Sequence, residues 1–182
     1  MKKMSAVKRI CISAICVALC CVLPTMFHTI GLGTTFSPMH IPALLCGLIC
    51  GPMYGALCGL IGPLLSSMIT GMPGVAMLPS MVPELIAYGL ITGLGMKFVR
   101  TGKLTADLYV SMGVAMVLGR VVGGIAKALF YMGTGTAFSL SMWASAYFVS
   151  TLPGIVCHLI LVPVLVIALT RAKLIPARYE SK

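Results

Sequence analysis

The sequence predicts an all-α membrane protein of six transmembrane helices with both termini in the cytoplasm. Three observations carry this reading. Of the 182 residues 59% are hydrophobic and 9% are charged, against about 25% charged in a soluble domain. The apolar residues form runs approaching the ~20 that cross a hydrocarbon core, and the length accommodates about six such runs. Apart from Arg120 and Lys127, the basic residues gather at Lys2, Lys3, Lys8 and Arg9, at Lys97, Arg100 and Lys103, and at Arg171, Lys173, Arg178 and Lys182. Short cytoplasmic segments carry the Lys/Arg excess, so the formal charge of +10 marks topology rather than a nucleic-acid surface. No linker or composition shift divides residues 1–182, which read as a single integral-membrane domain.

The first helix covers 8–26. Its basic start and apolar run imitate a secretory signal, but it lacks a small-x-small cleavage site and is long enough to span. It contains Ala14-Ile-Cys-Val-Ala18, a small-xxx-small pair that allows close approach of another helix, within this chain or from a partner. The loop 27–37 has no Lys or Arg and belongs outside. The second helix lies between Pro38 and Gly51, a short run opened by Ser37-Pro-Met-His-Ile-Pro42 and closed by Gly51-Pro52. It forms with the third helix, 53–70, either a full hairpin or a re-entrant one; a full hairpin with the second helix tilted or the bilayer thinned is favoured. Leu45-Cys-Gly-Leu-Ile49 recurs as Leu57-Cys-Gly-Leu-Ile61, a duplication or a shared packing demand.

The Gly/Pro-rich loop 71–79 is again free of Lys and Arg and faces outward. The fourth helix runs over 80–98, a basic loop over 97–106 faces the cytoplasm, and the fifth helix runs over 107–131. An uncharged outer loop begins at Gly133-Thr-Gly-Thr136, and the sixth helix covers 143–170. Trp143, Tyr147 and Tyr131 mark an interfacial aromatic belt at the outer ends of the last two helices.

Ionisable residues inside these apolar runs are few, and each is costly unless paired or wetted. They are Glu84, Arg120, Lys127 and His158, with His40 at a helix entrance. Arg120 and Lys127 are seven apart and share a helix face, about 10 Å apart along the axis. The predicted directions of the helices bring His40, Glu84 and Lys127 to the outer half of the membrane, as an outward-facing cavity with Arg120 at its floor. Glu84 either lines that cavity or pairs with Lys127 or Arg120 to join two helices. One carboxylate does not neutralise two cations, and the surplus suits an anionic ligand. Lys127 alternatively snorkels to the interface, and His158 either faces the cavity or is satisfied by a neighbouring helix.

All eight cysteines fall in predicted helices and read as small packing residues, so neither a disulfide framework nor a metal site is expected. No Walker A stretch exists; Thr101-Gly-Lys-Leu104 lacks the upstream Gly and the final Ser or Thr. Dinucleotide fingerprints, H-E-x-x-H and paired carboxylates are absent as well. The chain is not expected to be an enzyme, and no cofactor is implied.

Over nearly its whole length the chain resembles a substrate-binding S component of an energy-coupling factor (ECF) vitamin transporter. The residues that carry the resemblance are the Ala14/Ala18 pair, Ser37-Pro-Met-His-Ile-Pro42, Leu45-Cys-Gly-Leu-Ile-Cys-Gly-Pro52 and Tyr54-Gly55. The resemblance implies a plasma-membrane protein of a bacterium that binds a vitamin or precursor beneath the loops 27–37 and 71–79. It implies a transmembrane coupling (T) protein and two ABC-type ATPases as partners, with Ala14 and Ala18 contacting the coupling protein. Tilting in the bilayer would carry substrate inward, and ATP hydrolysis in the partners would reset it. The stretch around His40 is closest to the pantothenate branch. A self-sufficient secondary transporter or channel for a small anionic metabolite, which would work without ATP, and a non-transport assembly protein, which would bind no small molecule, are the rival readings.

Overall fold

The computed structural model describes residues 4–29, 31, 33–134, 145, 151–176 and 179. In chain order these form α1 (Ala6–Thr29), a single turn α2 (Gly33–Phe36), α3 (His40–Cys50), α4 (Pro52–Thr70), a 3-10 turn (Val75–Met77), α5 (Leu78–Phe98), α6 (Leu104–Thr134) and α7 (Leu152–Arg171). The described residues contain no strand. Among the described residues five helices are long and apolar enough to cross a membrane: α1, α4, α5 with its preceding turn, α6 and α7. Their outer faces are strongly apolar, with Ile10, Met26, Met68, Ile125 and Val164 each more than half exposed. This is an all-α membrane protein.

The second expected helix differs from the other five. At 11 residues, α3 is about 16 Å long, roughly half the ~30 Å of a hydrocarbon core. Ten of its eleven residues are buried, and α1, α4, α5 and α7 all pack on it. Protein rather than lipid surrounds it, so its length answers to its neighbours and not to the bilayer. The sixth expected helix is seen as α7 from Leu152; residues 143 and 144 and 146–150 of that expectation, with Trp143 and Tyr147, lie outside the described residues. Elsewhere the helix ends fall within three residues of those expected, and the loop 27–37 is partly helical.

Gly51 joins α3 to α4 at φ +101° and ψ 176°, a conformation open essentially to glycine alone. Pro52 then starts α4 at its first turn, where a missing N–H leaves no hydrogen bond unmade. Glycines also bring three helices into backbone contact. A methyl group on Gly47 would overlap the Thr92 side chain and the Gly89 carbonyl, on Gly55 the Gly89 backbone, and on Gly59 the Leu85 backbone. The repeated Leu-Cys-Gly-Leu-Ile is therefore a shared packing demand, because Gly47 of α3 and Gly59 of α4 both lie against α5. The cysteines of the repeat, Cys46 and Cys58, are buried, and the Cys46 thiol donates to the Tyr54 carbonyl at 3.3 Å.

At the basic end of the bundle, the fully buried Asp107 ties the α5–α6 connection to the C-terminal segment. Its Oδ1 accepts from the Thr101 N–H and hydroxyl at 2.8 and 2.7 Å, and its Oδ2 accepts from the Tyr179 hydroxyl at 2.6 Å. The Gly102 N–H donates to the Tyr179 oxygen at 3.3 Å.

Candidate functional site

Four segments far apart in sequence meet in one buried polar cluster. The first turn of α3 contributes His40, which is 8% exposed. Its Nδ1 lies 3.0 Å from the Ser37 carbonyl. A carbonyl only accepts, so Nδ1 carries the hydrogen and Nε2 is left facing α5. There Nε2 meets Glu84 Oε1 at 3.5 Å. With hydrogen already on Nδ1, this contact is attractive when a further proton lies between the two groups. The pair then carries no net charge, as imidazolium with carboxylate or as imidazole with carboxylic acid.

Tyr88, one turn along α5 from Glu84, donates its hydroxyl to the same Oε1 at 3.0 Å and takes the edge of the His40 ring at a centroid distance of 5.1 Å. Glycines of α6 make room for both side chains. A methyl on Gly119 would press into the Tyr88 ring, and one on Gly123 would stand 2.9 Å from Glu84 Oε2. Arg120, between these glycines and 5% exposed, has its guanidinium within interaction range of the Tyr88 hydroxyl and of His158.

His158 completes the cluster from α7. It stands on the buried stripe Gly154, His158, Val162 and Val166, and its ring stacks on His40 with centroids 5.8 Å apart and an interplanar angle of 23°. It is 1% exposed. The backbones of Phe36 and Ser37 lie beside the ring, but neither ring nitrogen finds a hydrogen-bond partner in proper geometry among the described residues.

The structure thus brings together His40, Glu84, Arg120 and His158. Lys127 lies two turns further along α6, half-buried, with its Nζ 5.8 Å from the centre of the Tyr131 ring. Sequence reasoning missed Tyr88. Its signal was its place four residues after Glu84, on the same helix face. The Gly119/Gly123 pair that receives Glu84 and Tyr88 was the second legible sign.

On α1, Ala14 and Ala18 are exposed, whereas Cys16 and Cys20 of the same helix are buried. Two recesses of the bundle do not include the side chains of the polar cluster. One of about 220 Å³ opens between α1 and α7 beside Ile41, and one of about 190 Å³ lies between α5 and α6; apolar side chains line almost all of both.

Fold and cluster together define a polytopic helical membrane protein built around a buried centre of ionisable side chains. The chain belongs to the family described as ECF transporter, substrate-specific component, whose model matches residues 8–167. It is accordingly a membrane transport subunit that binds substrate and has no catalytic role of its own. No curated protein and no solved structure shows a significant match to the chain.

Proposed function

We propose that the chain captures a water-soluble vitamin or vitamin precursor bearing a carboxylate, of the pantothenate kind, with His40, Glu84, Arg120, Lys127 and His158 forming the site. The observation that carries this is the convergence of α3, α5, α6 and α7 on one buried cluster whose one carboxylate is Glu84. The contact with His40 takes up Glu84, and α6 adds two cations, Arg120 and Lys127. An anionic ligand balances that excess, with the guanidinium supplying a planar fork for a carboxylate.

In this reading residues 1–182 act as one domain of a bacterial plasma membrane, α3 completes a six-helix plan, and the basic N-terminus, the α5–α6 connection and the basic C-terminus face the cytoplasm. The site then opens outward, beneath residues 27–37 and 71–79. The exposure of Ala14 and Ala18 supports contact with a transmembrane coupling protein, which joins the chain to two ABC-type ATPases where ATP is hydrolysed.

Isothermal titration calorimetry of the purified protein with pantothenate and with panthenol, in which an alcohol replaces the acid, tests the site. Pantothenate binds more tightly than the alcohol, and Arg120→Gln weakens pantothenate about tenfold or more, the scale of a lost charged hydrogen bond. Equal affinity for acid and alcohol would point to a neutral substrate.

A further inference from the structure

The polar groups of the cluster divide into those engaged with each other and one that is not. Glu84 Oε1 receives the Tyr88 hydroxyl and faces His40, and Glu84 Oε2 lies against Gly123. His40 uses Nδ1 on the Ser37 carbonyl and Nε2 on Glu84. These three side chains hold one another across α3 and α5. His158, equally buried, has both ring nitrogens without a hydrogen-bond partner among the described residues. A buried donor and acceptor left unmade is destabilising, and such a group in a native protein asks for an explanation.

The chemistry of the vacant positions is definite. Beside the Arg120 guanidinium and stacked on His40, an imidazolium would add charge to an already cationic cluster. The neutral ring offers one N–H and one lone pair. The chain contains no Asn or Gln, the side chains that ordinarily donate and accept together through a neutral amide. The His158 ring is therefore suited to a neutral polar group, and a hydroxyl, which both donates and accepts, is the matching group.

We propose that His158 is the specificity-determining residue of the site, that its ligand is a hydroxylated carboxylic acid, and that Glu84 is a positioning residue, holding His40 and Tyr88 rather than touching the ligand. This rests on the reading of the cluster as the substrate site. It separates two tasks: Arg120 attracts the acid group, and His158 distinguishes a hydroxy acid from a plain one. The stack with His40 fixes the plane of the reading ring, and Glu84 fixes His40.

The test compares wild type, His158→Leu and His158→Met, purified in detergent, with two probes. These are pantothenate and its dideoxy analogue, which keeps the acid and the amide but lacks both hydroxyls. If the assignment is right, both variants melt at or above the wild-type temperature without ligand, because an unsatisfied polar ring has been replaced by an apolar chain of similar size. Both lose at least tenfold in pantothenate affinity, and they bind the dideoxy acid as the wild type does. Wild type prefers pantothenate over the dideoxy acid by a similar factor. Variants that fail to fold or melt below wild type would show that His158 is a structural residue. Full pantothenate affinity in the variants, or no preference between the two acids in wild type, would equally overturn the assignment. Failure of wild type to bind either acid would instead overturn the carboxylate reading beneath it, while the melting comparison still decides whether the His158 ring is structurally required.

Discussion

Glu84 illustrates how one buried carboxylate organises its surroundings. It accepts from Tyr88, faces His40, and sits in a notch made by Gly123. Replacing it by Gln keeps the shape but removes the carboxyl group that shares a proton with His40, at a cost of about 1 kcal/mol or more, the scale of a lost intramolecular hydrogen bond. Tyr88→Phe removes one partner and costs about 1 kcal/mol. Thermal unfolding in detergent should show both variants destabilised, and the double variant losing less than the sum of the two, because residues in one network couple. Strict additivity would mean that the two side chains act independently.

His40, Glu84, Arg120 and His158 were visible in the sequence because an ionisable group in an apolar run stands out against its cost. Tyr88 was not, since a tyrosine in a membrane helix reads equally well as an apolar body with a wet tip. Lys127 was legible as a charge, and its place four residues before Tyr131 on α6 already puts that ring within reach of its ammonium.

At the level of elements, contact between α3, α4 and α5 depends on glycines whose missing side chains let backbones touch. Gly89 of α5 and Gly55 of α4 face each other so closely that a methyl on either overlaps the other's backbone. Gly113 of α6 has no atom within 4 Å of where its methyl would lie. Gly89→Val should therefore abolish a folded, detergent-stable protein. Gly113→Ala should leave it intact or raise its melting temperature, in line with the helix-propensity gain of about 1 kcal/mol. A Gly89→Val protein with wild-type melting would contradict the packing described.

The shortness of α3 suggested a tilted span or a thinned bilayer, and burial gives the reason for that shortness. A helix enclosed by four others satisfies its apolar surface against them and has no need to match the bilayer. That enclosure cannot be read from an 11-residue apolar run, since buried and lipid-facing helices share the same composition. The run of small residues on α1 was equally ambiguous, until Ala14 and Ala18 proved exposed beside the buried Cys16 and Cys20.

For the whole molecule, that exposed pair defines a prediction about assembly. Ala14→Trp, made alone or with Ala18→Trp, should leave substrate affinity within about twofold, because the face lies away from the polar cluster. It should sharply reduce co-purification with the coupling protein and ATPases, where small residues let helices approach closely. Full recovery of the complex with both tryptophans in place would remove α1 from the interface.

What the sequence by itself determined is the membrane class, the apolar segments, and the small set of charges that lie within them. These are local properties: a bilayer forces each spanning segment to satisfy its own backbone hydrogen bonds, so hydropathy and charge position suffice. What only the tertiary structure decided is the company those charges keep. His40 and His158 lie on helices separated by most of the chain, yet their rings stack, because glycine contacts and helix faces set which sides meet. Such contacts sum many weak, long-range packing terms, and no local run of residues carries that sum.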